Sequence, residues 1–431
     1  MKSKKSKIIL TSALAVVVAC GAFFAGFFVG RIKDPDLAAL EFILKTYKDH
    51  YYEVEDNVVE IMSESILDKY SEYYTAEEYA AMKKVSQGVR GGIGVSFTEE
   101  NGVVKVYSVL GNSPAEHAGV TAGGVLKGIK KADAGEYTAV TSNAVLSDFI
   151  SKFNLGDEMT LLIDYGGEEK TFTVARQEYH ETYVYYADDT GNYRFTDESG
   201  GMELVKYSQS TEDYGDNTAY IKYTSFNGTG KGLYASANQM KAALDKFKNS
   251  GKTKLILDLR NNGGGYLDIC EDVAAYFCNA ANGSKPLIST AEYNGGKIEK
   301  FYSSSVKYGD YGYTGIVVLA NDGTASASEV LLGAMLDYDE NGIIKVVLER
   351  NANGEYRTYG KGIMQTTYPN FLGKDAIKLT TARLFWVSGI SIHGAGVTKT
   401  TMQNQPYADR IYEAEYIDGT DYALRYALNI N

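Results

Sequence analysis

The chain has 431 residues, room for two or three domains and a sizeable core. A formal net charge of −12 argues against a nucleic-acid partner, because phosphate binding needs a basic surface. Three cysteines and four histidines show no metal-ligand spacing, and no cofactor or metal is expected.

The first element is an N-terminal anchor. Lys2, Lys4, Lys5 and Lys7 precede an uncharged, mostly apolar run over residues 8–30, closed by Arg31 and Lys33. That run is long enough to span a bilayer, and the lysines favour a cytoplasmic N-terminus with everything beyond Arg31 outside the cell membrane. A lipobox-like Val17-Val18-Ala19-Cys20 offers a cleaved, lipidated alternative, but residues 21–29 stay apolar where a mature lipoprotein turns polar.

Residues 36–52 and 57–70 carry helical periodicity, and Thr75 with Glu78 form a capping box for a third helix through Met82. This helical region, residues 35–86, is expected to pack on a neighbour or on a second copy in a homo-oligomer. Arg90-Gly91-Gly92-Ile93-Gly94-Val95 then leads into an apolar strand with Val103, Val104 and Val106. Ser113-Pro114 opens a short helix, 142–153 reads as a longer one, and 159–165 and 170–175 read as strands. Residues 87–177 resemble a PDZ domain. That resemblance implies that Gly91, Gly92, Ile93 and Gly94 hold a peptide's terminal carboxylate through backbone amides. Gly124 departs from it, standing where relatives carry aspartate.

Residues 178–217 form a polar, tyrosine-rich connector with a turn at Asp188-Asp189-Thr190-Gly191-Asn192. From Thr218 strands and helices alternate, over 219–226, 233–249, 254–260 and 266–279, which indicates an α/β layer structure. Cys270 and Cys278 fall on the last of these helices, too far apart to bridge each other. Asp258-Leu259-Arg260-Asn261-Asn262-Gly263-Gly264-Gly265 follows a buried strand, and its glycines suit an anion-binding nest. Thr324-Ala325-Ser326-Ala327-Ser328-Glu329 follows another strand and opens a helix. Ser326 there reads either as an N-cap, with Glu329 completing a capping box, or as a nucleophile beside unpaired helix N–H groups. Tyr359-Gly360-Lys361-Gly362-Ile363-Met364-Gln365 supplies a lysine.

In this order the four motifs resemble the carboxy-terminal processing peptidases, the tail-specific serine proteases. The resemblance runs over residues 37–398 and includes Lys378-Leu379-Thr380-Thr381-Ala382. It implies a crotonase-like α/β protease core, residues 218–405, with the PDZ-like insert ahead of it and a tail at 406–431. It places the nucleophile on Ser326, the base on Lys361 and an orienting role on Gln365, with backbone amides of Ala327 and Gly264 as oxyanion donors. Positions 326 and 361 lie further apart than is usual in that family, and the extra length around 337–356 leaves open whether Lys361 reaches the serine. Ser328 is a rival nucleophile, but two residues along a helix turn it by roughly 200° from Ser326. A triad of Ser326, His393 and Asp258 is a rival mechanism. The implied activity is membrane-anchored endoproteolysis of proteins chosen by their free C-termini. An inactive, peptide-binding relative and an acyl-CoA enzyme of the same fold are the alternatives.

Overall fold

A computed structural model describes residues 35–50, 57–197, 201–210, 212–280, 282–306, 311–414 and 421–430. The apolar run over 8–30 and Cys20 lie outside the described residues. Among the described residues no helix is long and apolar enough to cross a membrane. The chain divides into two units, one ending at Leu67 and one beginning at Asp68. The first holds the helices Pro35–His50 and Val58–Ile66, neither with a buried residue.

An eight-stranded sheet organises the second unit. Its order is Glu203–Ser208, Gly191–Thr196, Val184–Asp188, Thr218–Tyr223, Lys254–Asp258, Gly315–Ala320, Ile344–Glu349 and Ile411–Ala414. The last five run parallel, and the first three join them antiparallel. Lys254–Asp258 and Gly315–Ala320 are continuous apolar runs because both faces of the sheet are covered. Leu255, Leu257, Val318 and Leu348 share a core with Met240, Leu244, Val273, Leu331 and Met335 from the helices Ser236–Asn249, Leu267–Ala274 and Ala327–Asp337. Ile256, Val317, Leu319 and Val347 instead meet Ala423, Leu424 and Ala427 of the helix Tyr422–Ile430.

Two regions are integrated more deeply than the sequence suggests. The connector supplies the three antiparallel strands, with the Asp188–Gly191 pair closing its hairpin. The stretch set apart as a tail supplies the edge strand Ile411–Ala414 and the helix over the second face. Glu72–Tyr74, expected within the N-terminal helical region, pairs with Ala376–Phe385 in a second, five-stranded antiparallel sheet. Such pairings join segments remote in sequence, and no local pattern announces them. The helix carrying Cys270 ends at Ala274, so Cys278 lies beyond it; both thiols are buried and free.

Residues 95–175 fold around their own core, which includes Val104, Leu126, Ile129, Leu161 and Val174. Its sheet runs Val95–Glu100, Val103–Val109, Val125–Lys131, Glu158–Asp164, Glu169–Ala175, which leaves Val95–Glu100 as an edge strand. The chain enters and leaves this insert through a two-stranded ribbon, Val89–Gly92 against Gln177–His180. Gly124 has a steric explanation. A Cβ there would meet Ile163 at 2.3 Å and the Tyr165 ring at 2.7 Å, while the Tyr165 hydroxyl donates to Thr121 O at 2.9 Å.

Candidate active site

Three adjacent parallel strands, Lys254–Asp258, Gly315–Ala320 and Ile344–Glu349, deliver the glycine nest, the serine turn and the lysine loop to one edge of the sheet. The crevice outside the carboxyl ends of such strands is where α/β sheets place ligands.

Side-chain and backbone hydrogen bonds stitch the serine turn to the nest. Thr324 Oγ1 donates to Leu259 O at 2.8 Å, and Ala325 N–H donates to Asn262 O at 3.0 Å. Ser328 is fully buried and its hydroxyl donates to Asn262 O at 2.9 Å, a structural role that leaves no free nucleophile there. Ser326 lines a cavity of about 520 Å³ together with Ala327, Lys361, Gln365 and Gly263 to Gly265. Its backbone holds φ 57° and ψ −120°, a left-handed conformation costly for a residue with a Cβ, on the order of 1–3 kcal/mol. Ser326 and Glu329 form the expected capping box, with Ser326 N–H on the Glu329 carboxylate and Glu329 N–H also donating to Ser326 O at 2.9 Å.

Glu329 carries more than a cap. Fully buried, it accepts Ser326 N–H (3.0 Å) and Lys361 N–H (2.9 Å) on Oε2, and Gly360 N–H (2.8 Å) and the Thr358 hydroxyl (2.5 Å) on Oε1. One carboxylate therefore ties the serine backbone to the lysine backbone. Tyr359 N–H adds a bond to Thr324 O at 3.0 Å. Burial pushes the Glu329 carboxyl up, against the four hydrogen bonds that hold it down. The long stretch between positions 326 and 361 is absorbed by the strand Ile344–Glu349 and a short bridged turn joining Arg350 to Tyr356. It leaves Lys361 in the serine's cavity. The sequence motif by itself offers Glu329 only as a capping partner. A carboxylate amid Val330, Leu331 and Leu332 on a buried helix was the available signal, since such a charge needs partners.

Lys361 is half-buried, and burial first, then the like charge of Lys378, holds its ammonium below the ordinary lysine value. Its Nζ rests 5.3 Å from the centroid of the Tyr70 ring and makes no hydrogen bond to Ser326 Oγ. Gln365 follows a bulge at Met364/Gln365 in the strand Ile363–Pro369, and its Nε2 donates to Thr380 Oγ1 at 3.3 Å rather than meeting the lysine. Bulges re-aim side chains near active sites.

The nest lies against the serine: a Cβ on Gly264 (φ 94°) would meet Ala325 O at 2.7 Å and Ala327 N at 2.8 Å. Gly264 N–H donates to Asn262 Oδ1 at 3.0 Å, whereas Ala327 N–H has no acceptor among the described residues. Asp258 is committed elsewhere: despite its burial, Arg260 beside it keeps the carboxyl below its usual range, and Tyr220 donates to it at 2.7 Å. His393 is exposed and lines a different cavity, with Lys69 and Tyr70, so the histidine triad does not assemble. Gly91 and Gly92 pair with Glu178 and Gln177, Ile93 is buried in the insert's core, and Gly94 packs on Ser113. These four residues sit at the mouth of the edge strand Val95–Glu100, apart from the serine cavity.

The profile of peptidase family S41 matches residues 217–402, the stretch that carries the nest, the serine turn and the lysine loop. A carboxy-terminal-processing protease of Bartonella bacilliformis is 30% identical over 348 residues, 80% of this chain and 68% of that protein. The chain belongs to the carboxy-terminal-processing serine proteases of family S41. A probable CtpA-like serine protease of Staphylococcus aureus is 27% identical over 399 residues, 90% of this chain and 69% of the relative. A putative S41 protease from Bacteroides fragilis shares the mixed α/β fold, with a TM-score of 0.53 at 14% identity over 88% of this chain and 90% of that one.

Proposed function

We propose that this S41 protein is an endopeptidase using a Ser326–Lys361 dyad. The observation that carries the reading is the Glu329 carboxylate, which binds the backbone N–H groups of both residues and so holds the two loops in one cavity. Neutral Lys361 takes the proton of Ser326 Oγ as the oxygen attacks the scissile carbonyl. Ala327 N–H, with Gly264 N–H once Asn262 Oδ1 releases it, stabilises the oxyanion. The lysine ammonium returns its proton to the leaving amine. Water, deprotonated by the same lysine, then hydrolyses the acyl-enzyme. Gln365 turns from Thr380 to orient the lysine in the productive state.

The core is read as crotonase-like and the insert as PDZ-like, its edge strand and the helix Asn143–Ser151 framing a groove for an extended C-terminal peptide. The N-terminal run anchors the protein in the cell membrane with the protease outside, and the exposed apolar side chains of Leu37, Phe42 and Ile66 suit contact with a second copy. A second reading, a catalytically weak peptide binder, is favoured by Lys361 resting on Tyr70 instead of on the serine.

Incubation with unstructured peptides separates the two. Cleavage by the native protein should vanish in Ser326→Ala and persist in Ser328→Ala whenever that variant folds. Turnover unaffected by Ser326→Ala would overturn the dyad, and absence of cleavage by the native chain would favour the binder.

A further inference from the structure

A second cavity, of about 770 Å³, adjoins the first at Ser225, which lines both and whose Oγ donates to Gly264 O at 3.3 Å. One wall is the insert, at Tyr107 to Gly111; the opposite wall is the central sheet, at Tyr220 and Lys222. The cavity therefore lies between the inserted sheet and the glycine nest. A substrate cut at Ser326 with its C-terminus on the insert, as proposed above, has this space beside the segment that follows the scissile bond.

Its charged groups are unequal. Arg260 is consumed by Asp258 at 2.6 Å and Asp421 at 2.7 Å. Arg90 uses its Nε to bind Oε2 of Glu181 at 2.7 Å, and that carboxylate, 4% exposed, fixes the guanidinium. The terminal nitrogens of Arg90 make no hydrogen bond to a described residue. Lys222, half-buried on Thr218–Tyr223, is near enough to Asp258 to help hold that carboxyl down. Its ammonium nonetheless makes no hydrogen bond or ion pair with any described residue. Two cationic side chains thus offer unused N–H donors to one cavity, and Glu181 pre-orients one of them. Fixed donors of this kind suit a carboxylate.

We propose that Lys222, with Arg90 lining the same cavity, forms a carboxylate subsite on the C-terminal side of the cleavage point. It selects an acidic side chain there or, in a short substrate, the chain's own terminal carboxylate. Lys222 is the specificity-determining residue, because the Arg90–Glu181 pair is already formally neutral.

The test rests on binding, so it does not depend on turnover. Full-length Ser326→Ala protein is titrated with unstructured peptides carrying Glu or Gln at each of their last positions, as free acids and as C-terminal amides. At one position Glu should bind about tenfold more tightly than Gln, about 1.4 kcal/mol. Adding Lys222→Met should erase that ratio, and Lys222→Glu should reverse it in favour of a lysine-bearing peptide. If amidation, and not Gln, removes the Lys222-dependent preference, the terminal carboxylate is the ligand. An acid-to-neutral ratio unchanged by Lys222→Met, or no preference for either carboxylate, overturns the proposal. The protease reading fails separately, if native Ser326 protein cleaves none of the peptides that the Ser326→Ala protein binds.

Discussion

Lys361 shows how a single side chain is prepared by its surroundings. As an ammonium it cannot accept a proton, so the proposed dyad works only through its neutral form. Burial and the nearby Lys378 charge lower its ionisation, which enlarges the neutral fraction at any pH below the ordinary lysine value. The sign follows: cleavage should rise with pH through one ionisation and level off, with the midpoint below about 10.4. Lys361→Arg should lose activity, since arginine stays charged throughout that range. A pH–kcat/KM profile of the native protein and a rate for the arginine variant check both. Near-normal rates in the arginine variant would remove Lys361 as the base. The motif made Lys361 legible in the sequence, but its rotamer was not. That the Nζ lies over Tyr70 depends on a residue nearly 300 positions earlier, which no local pattern links to it.

At the scale of elements, the helix Ala327–Asp337 is buried over most of its length, and its one glycine meets the molecule's one tryptophan. A Cβ on Gly333 would fall 2.1 Å from Trp386 Cδ2 and 2.2 Å from Cε2, on the face of a ring that is 2% exposed. Alanine favours a helix interior by about 1 kcal/mol, but overpacking of this kind costs typically about 1–3 kcal/mol and sometimes more. Gly333→Ala should therefore destabilise the protein by up to about 2 kcal/mol net. Trp386 fluorescence in a urea titration reads the change directly. An unchanged or higher midpoint would mean that the helix shifts freely against the indole. Most elements were readable from periodicity and caps, such as Thr75 with Glu78, which form the expected capping box. In the connector the turn between two strands at residues 188–192 was readable and closes a hairpin, but the docking of that hairpin onto Thr218–Tyr223 was not, because it depends on a segment beyond the turn.

At the scale of the second unit, the insert joins the central sheet through a ribbon of four residues on each side, through the Glu116–Arg194 ion pair at 2.6 Å and through Asn112, whose side chain donates to His180 O and Asp197 and accepts from the Thr196 hydroxyl. If the edge strand Val95–Glu100 receives a substrate's terminus, C-terminal amidation should weaken binding by roughly 1–3 kcal/mol, the scale of a charge-assisted hydrogen bond. Fluorescence polarisation with paired free-acid and amidated peptides measures it. Equal affinities in the native protein would show that the insert does not read the terminus.

The sequence alone determined the order of the motifs, the α/β alternation and the identities of Ser326, Lys361 and the glycine nest. These are local properties: apolar runs, turn residues and spacing along one chain. Tertiary structure decided which groups share a cavity. It buried Ser328 and left Ser326 open, sent His393 to another cavity and gave Glu329 two loops to join. It also drew residues 406–414 and 421–430 into the core, and left Lys222 unpaired before an empty space. The physical reason is that burial and hydrogen-bond partnership belong to pairs of residues remote in sequence, and only the folded sheet brings those pairs together.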